Sequence, residues 1–318
     1  MANAALKEMW RKYRGWSMRA RILRDALDRW RLIVLSLTVA GAVLATLASQ
    51  LSIWIGTPGG EGPYRVIPNI VSALSAVSMA LAAYFGRSIL DPTTERQWLR
   101  ARALAETCKS ESYRFATGTA PYDSVDAGQR LLEKLQQFLV SGADTPAVEV
   151  DEEEAIRALP SYPLSIDAYA EERVRDQIDC YYRPKAAENE RKATSCAQWV
   201  QGISAVAAVL AALGAMSGER HFDIWVAVLG TVSAAIGSHA LSQRFQRLAV
   251  AYRVTADRLA VRLAIWRITA ATQPDGAAGH ALVADVESIL AAENEAWLAE
   301  FLKSTTAPPA AHPRDGAG

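Results

Sequence analysis

The stretch from Leu32 to Ile55, LIVLSLTVAGAVLATLASQLSIWI, carries no charged residue. As a helix of about 24 residues it rises about 36 Å, enough to cross a hydrocarbon core of about 30 Å with some tilt. Its polar members are small hydroxyls plus one late Gln50, and a helix satisfies such groups against its own backbone or a neighbouring helix. A soluble core helix seldom runs this long without a charge. The stretch reads as a membrane span, and the rest of the chain is arranged around it.

Three weaker apolar blocks accompany it: VIPNIVSALSAVSMALAAYF from Val66, WVQGISAVAAVLAALGAM from Trp199 and IWVAVLGTVSAAIGSHAL from Ile224. The Gly/Pro-rich GTPGGEGPYR joins the first two blocks and the short SGERHFD joins the last two. Such connections are turns rather than domains. Blocks three and four have only about 18 residues each, near the lower limit for spanning, and length alone does not separate them from buried helices of a soluble bundle.

Charge placement separates them. Arg19, Arg21, Arg24, Arg29 and Arg31 precede block one, and Arg87, Arg96, Arg100 and Arg102 follow block two. Arg183, Lys185, Arg191 and Lys192 precede block three, while Arg244, Arg247 and Arg253 follow block four. The two turns hold only Arg65 and Arg220, beside Glu61, Glu219 and Asp223. Positive charge on one side of all four blocks orients both termini and the middle region to the cytoplasm. Trp30, Trp54, Tyr64, Tyr84, Trp199 and Trp225 near the block ends fit interfacial aromatics. The expected fold is all-α: an integral membrane protein with four transmembrane helices in two hairpins and long cytoplasmic helical extensions. Small residues at four-residue steps (Gly41 and Ala45; Ser72, Ala76 and Ala80; Gly230, Ala234 and Ser238) predict close helix pairing.

The 318 residues are 51% hydrophobic and 21% charged with zero formal net charge. That balance excludes a strongly basic nucleic-acid binder. Cys108, Cys180 and Cys196 are odd in number and far apart, which argues against a disulfide framework or zinc site and for a reducing compartment. Some thirty mostly polar, basic residues precede the first apolar run, so no cleaved signal is expected at the N-terminus.

Residues 1 to 30, with Trp10, Tyr13, Trp16 and Ile22 among Arg and Lys, read as a basic amphipathic helix. It either extends block one or lies on an anionic membrane surface. After block two, Asp91-Pro92 opens a helix with Trp98, Ala101, Ala105, Cys108, Ser112 and Phe115 on one face. Cys108 reads as a small core residue. A loop and a shorter helix through LLEKLQQFLV complete this half. Residues 141 to 163 form an acidic, proline-bearing linker, whose Glu149 to Glu154 run reads as solvated and feeding a helix N-terminus.

The second half repeats the plan. DAYAEERVRDQIDCYY and a helix entered at Pro184 lead into block three. Block four continues into an apolar stripe of Phe245, Leu248, Tyr252, Ala256, Leu259, Leu263 and Trp266. Arg244, Arg247, Arg258 and Arg262 flank that stripe; membrane-proximal charge accounts for them more simply than a phosphate-bearing ligand does. A last helix, VADVESILAAENEAWLAEFL, ends near an Ala/Pro/Gly-rich tail. Arg102-x-x-Ala105-Glu106 after the first hairpin has a counterpart in Arg253-x-x-Ala256-Asp257 after the second. The layout predicts a tandem duplication: a first two-span unit at 1–140, the linker at 141–163, a second unit at 164–303 and a disordered tail at 304–318.

WLRARALAETCKSESYRF with Pro121-Tyr122, and then YAEERVRDQIDCYYRPKAAE and ENEAWLAEF, resemble the SLATT family over most of residues 10 to 303. These are bacterial two-span domains associated with SMODS nucleotidyltransferases and SLOG domains, and the chain looks like two subtypes in tandem. The resemblance implies a membrane effector in bacterial conflict and anti-phage systems, oligomerising to permeabilise the inner membrane when signalled. No nucleotidyltransferase or SLOG sensor is recognisable, so it also implies a separate signalling or sensor protein as partner.

No enzyme is expected, for the sequence has no Walker loop, GxSxG or HExxH, and His221, His239, His280 and His312 are scattered. No metal or cofactor is expected either. A pore needs a polar line through the membrane, and its candidates are Asn69, Ser72, Ser75, Gln201, Ser204, Ser233 and His239. None is an acid or a strong base deep in the bilayer, and small-residue helices pack too tightly for one chain to enclose a channel, so a pore requires a homo-oligomer in the bilayer. The other reading is a membrane anchor or scaffold whose cytoplasmic helices recruit a partner. A secondary transporter is disfavoured by the parallel repeat and the lack of a buried charge or broken helix.

Overall fold

The apolar blocks and the polar sequence between them both fold as helix. The computed structural model describes residues 2–55, 66–88, 92–217, 221–272 and 276–306. Helix α1 spans Ala2–Ile55, α2 Val66–Ser88, α3 Pro92–Ala116 and α4 Ala127–Ser141. The short α5 (Glu152–Ile156) and α6 (Ile166–Tyr169) follow, then two π-helical stretches, Ala170–Arg175 and Gln177–Tyr182. Helices α7 (Arg183–Ser217), α8 (His221–Gln243), α9 (Phe245–Thr272) and α10 (Ala277–Thr306) complete the described chain. Among the described residues there is no strand.

Packing divides the chain into two compact units, each drawn from both halves of the sequence. One holds residues 24–94 and 181–254; the other holds 1–23, 95–180 and 255–318. The first contains all four apolar blocks.

In this apolar unit four helices are long and apolar enough to cross a membrane. Their large side chains point outward: Ile70, Leu74 and Val77 on α2 and Val206 and Val209 on α7 are all more than half exposed. In water a continuous apolar surface of this kind drives aggregation, whereas in lipid it is the expected exterior. Helices α1 and α2 pack through backbone-close contacts. Ser75 Oγ donates to the Gly41 carbonyl at 2.8 Å and Ser78 Oγ to the Leu37 carbonyl at 2.9 Å. Partner numbers fall on α1 as they rise on α2, so the two helices are antiparallel where they touch. A Cβ on Gly41 would stand 2.7 Å from Met79 Cγ and Sδ, which explains a glycine in mid-helix.

The second unit is a helical bundle around an apolar core. Leu6, Met9, Trp10 and Trp16 of α1 are buried there with Ala101, Cys108 and Phe115 of α3. Leu131 of α4, Leu259 of α9 and Leu282 of α10 join them. The apolar stripes expected on α3 and α9 are thus its core faces. The N-terminal segment extends block one in a single helix, about 80 Å long at 1.5 Å per residue. Of its two expected settings, extension is the one observed, with its indoles inside protein.

Local differences from the sequence reading have physical reasons. The stretch 141–163 is not simply solvated: Trp16 Nε1 donates to the Thr145 carbonyl at 2.9 Å and the Val148 amide to the Gly15 carbonyl at 3.3 Å. Gly15 permits this, since a Cβ there would lie 2.4 Å from the Val148 carbonyl oxygen. The acidic run does open a helix, Asp151 capping α5 by accepting from the Glu154 amide at 2.8 Å. DAYAEERVRDQIDCYY is largely π-helical rather than a uniform α-helix. Block four does not run on unbroken, because Arg244 takes a left-handed φ of 52° between α8 and α9. Helix α8 already includes His221, which the sequence placed in a turn, and α10 reaches Thr306, three residues into the expected tail. The first hairpin turn (56–65), residues 218–220 of the second, Asp91, Pro274 and residues 307–318, His312 among them, lie outside the described residues.

Candidate functional site

Two groups of side chains stand out: the polar residues of the apolar helices and a charge cluster buried in the helical bundle. On α2, Asn69 and Ser72 are exposed, and Ser75 is buried with its hydroxyl committed to the Gly41 carbonyl. On α7, Gln201 and Ser204 are exposed. On α8, Ser233 is half-buried and its hydroxyl oxygen has no hydrogen-bond partner among the described residues, while the half-buried His239 ring lies 6.3 Å from that of Phe245. Among the described residues no hydrogen bond joins any two of these seven. Ser75 is therefore a helix-packing residue within the chain, and the other polar positions are dispersed over several helices.

The basic flank is also dispersed. Arg244 is half-buried at the α8–α9 junction; Arg247 and Arg258 are exposed on α9; Arg262 pairs with Asp285 of α10 at 2.6 Å. The paired motifs take different partners. Arg102 reaches Glu293 at 3.2 Å, and Arg253 reaches Glu190 on the polar segment of α7 at 2.5 Å. Their alanines, Ala105 and Ala256, are both buried, whereas Glu106 is half-buried and Asp257 exposed. On that same segment of α7, Lys185 and Lys192 each bond Glu188 at 2.7 Å and pull its carboxyl down to about 2.

The sequence reading missed the bundle's centre. Arg173 forms a two-pronged pair with Glu287, Nε to Oε1 and Nη2 to Oε2 both at 3.0 Å. Tyr169 donates its hydroxyl to Oε1 at 2.8 Å. All three side chains are fully buried, and the Arg173 guanidinium sits 5.0 Å from the centre of the Tyr113 ring. Tyr113 in turn meets the Tyr169 and Trp10 rings edge-on at 5.8 and 5.9 Å. Burial alone would raise the Glu287 carboxyl, but the Arg173 charge and hydrogen bonds from Arg173 and Tyr169 hold it below the usual carboxylate value. Burial pushes Tyr113 up to about 12, with Arg173 opposing, and pushes Tyr169 well above its ordinary value. At neutral pH the cluster is one cation, one anion and two neutral phenols. A pair so enclosed fixes the relative placement of the π-helical stretch, α3 and α10 rather than doing proton chemistry. A helical-phase signal was available: Tyr169, Arg173 and Gln177 recur every four residues on the buried face of a segment that otherwise looks solvated.

Burial also pushes up the Cys108 thiol, keeping it protonated and unreactive. No group of three or more His, Cys, Asp or Glu side chains able to hold a metal ion occurs among the described residues.

Apolar helices with a lipid-compatible exterior, joined in one chain to a water-type helical bundle, define an α-helical membrane protein. Residues 169–297 match the family described as SMODS and SLOG-associating 2TM effector domain 1. Residues 14–129 match a second family, described as a protein of unknown function (DUF4231), at the place where a related domain is expected. Comparison with curated proteins and with solved structures gives no match.

Proposed function

We propose that this chain is a membrane effector of a bacterial conflict system, which oligomerises and permeabilises the inner membrane when a signal arrives. The observation that carries this reading is the coincidence of the effector-domain match at 169–297 with two of the four apolar helices, α7 and α8. The arginine and lysine excess flanking all four blocks supports a cytoplasmic placement of both termini and of the helical bundle. Two hairpins in tandem, at 1–140 and 164–303, fit the two family matches. The chain acts without catalysis or cofactor in this reading, and its trigger comes from a separate nucleotide-signalling or sensor protein.

The scattered polar residues bear on stoichiometry. Asn69, Ser72, Gln201 and Ser204 face outward from their helices, so a water-filled path is assembled between copies rather than inside one. Purified protein reconstituted in liposomes tests this. Dye release on adding a cyclic or linear oligonucleotide signal, together with depolarisation of cells on forced expression, supports the effector. Liposomes that hold their dye with every signal tested, from protein shown to be inserted, overturn permeabilisation. If a chain with both hairpins replaced by unrelated spans retains its cellular effect, it is an anchor for the helical bundle.

A further inference from the structure

The joint between α8 and α9 contains no residue that makes a helix stop. Ser238 to Gln273 holds neither proline nor glycine, and the joint itself, LSQRFQR from Leu241 to Arg247, is rich in helix formers. The helix breaks there all the same. Arg244 takes a left-handed φ of 52°, and its amide turns back to the Leu241 carbonyl at 3.1 Å. Its own carbonyl accepts from the Leu248 amide at 3.0 Å, which opens α9. A residue with a Cβ adopts that φ only against a steric penalty. The break also takes the first amides of α9 out of the ladder that an uninterrupted helix would give them. The first half of the chain treats the corresponding joint differently. With Arg102 set on Arg253, Pro92 falls on Gln243, and α3 begins at Pro92. Proline has no amide to donate and its ring clashes with the preceding turn, so a break there is written into the sequence. At the second joint the break depends on what packs around it.

Side chains of the apolar unit supply that packing. Arg31 of α1 donates from Nη1 to Gln243 Oε1 at 3.4 Å. Lys192 of α7, steadied by its bond to Glu188, stands 5.8 Å from the centre of the Phe245 ring. The His239 ring meets Phe245 edge-on at 6.3 Å, and Ser242 Oγ donates to the His239 carbonyl at 2.8 Å. Two turns further on, Tyr252 is buried against the Tyr181 and Tyr182 rings, at 6.1 and 5.9 Å. Backbone preference therefore favours a straight helix while side-chain contacts favour the bend, and the two meet at Arg244. We propose that this joint is a latched bend: a conformational switch in which α8 and α9 close into one continuous helix when Arg31 and Lys192 release Gln243 and Phe245. Helix α1 shows that the chain builds such a form, running unbroken from Ala2 to Ile55 through its own apolar block. The inference deepens the effector reading, on which it rests only for what the switch governs.

Spin labels on Thr231→Cys and Val254→Cys, one on each side of Arg244, test this on the full chain in liposomes. Cys180→Ser and Cys196→Ser remove the accessible native thiols, and an excess of unlabelled protein suppresses distances between copies. A continuous helix sets the two positions about 35 Å apart, and a bend brings them closer. The parent is expected to populate the shorter distance. Phe245→Leu and Lys192→Gln are each expected to raise the long-distance fraction several-fold. Arg244→Ile, whose branched side chain resists a left-handed φ, is expected to raise it further. Arg244→Gly, which fits that φ, is expected to return Phe245→Leu to the short distance. Amide exchange gives a second reading, slower by about ten-fold at residues 245–247 in Lys192→Gln once those amides rejoin the ladder. A parent already at the long distance overturns the bend, and distances that none of these substitutions moves overturn the switch. Dye release by the straightened variants without any signal would tie the switch to permeabilisation. Straightening with no dye release would overturn permeabilisation and leave the switch standing.

Discussion

Arg173 and Glu287 lie 114 residues apart in the chain and share a site that water does not reach. Removing one partner leaves the other charged and buried, which costs about 3–5 kcal/mol, whereas replacing both with apolar residues costs far less. Arg173→Met is therefore expected to destabilise the bundle strongly, and Arg173→Met with Glu287→Met to recover most of the loss, read by thermal unfolding in detergent. The pH dependence follows from Glu287. Its folded value lies below the ordinary 4.5, so its contribution is complete above about pH 4.5 and is lost as pH falls towards the folded value. Glu287→Gln should flatten that acid limb of the stability curve. Local pattern puts Arg173 in phase with Tyr169 and Gln177 and sets it apart from Arg175, which projects outward to Glu171. Its partner Glu287, 114 residues further on, lies beyond the reach of periodicity.

Among the elements, α3 and the core side of α9 were readable from sequence because one face of each is continuously apolar, from Ala101 to Phe115 and from Leu248 to Trp266. The stretch 141–163 was not, since its attachment rests on backbone groups and on the lack of a side chain at Gly15. Gly15→Ala forces a Cβ into the Val148 carbonyl, and the strain expected is about 1–3 kcal/mol. The readout is faster limited proteolysis between residues 143 and 150, with α1 still helical. In the apolar unit, Gly41→Leu should push α1 away from Met79 and loosen the α1–α2 pair. Cysteines placed at Leu37 and Ser78, whose parent residues are in contact, would then crosslink less readily.

For the whole molecule, the four apolar blocks were evident in sequence because they are long and uncharged, and each lies in a helix of the apolar unit. The division into two compact units was hidden, because each unit collects segments from both ends of the chain. Full-length protein is expected in the membrane pellet after detergent-free lysis, and to remain there through carbonate washing. Release into the supernatant as a folded species would contradict the membrane assignment. The bundle is also built from segments on either side of every apolar block, so deleting either hairpin with its flanks should unfold it. Loss of the Tyr113–Tyr169 near-UV circular dichroism signal would report this.

The π-helical stretches ahead of α7 give the chain some slack. Each wide turn stores about one residue more than an α-helix needs over the same path. Deleting one residue of the second stretch, between 178 and 182 and so beyond the buried Arg173, should relax a bulge into ordinary helix and leave the downstream segment in its original phase. The same deletion within α9 would swing every later side chain through about 100° and turn its core face outward. Tolerance of length change is therefore concentrated in the one stretch that leads from the charge-locked bundle into a membrane-crossing helix, where slippage of a single residue can be taken up without unfolding.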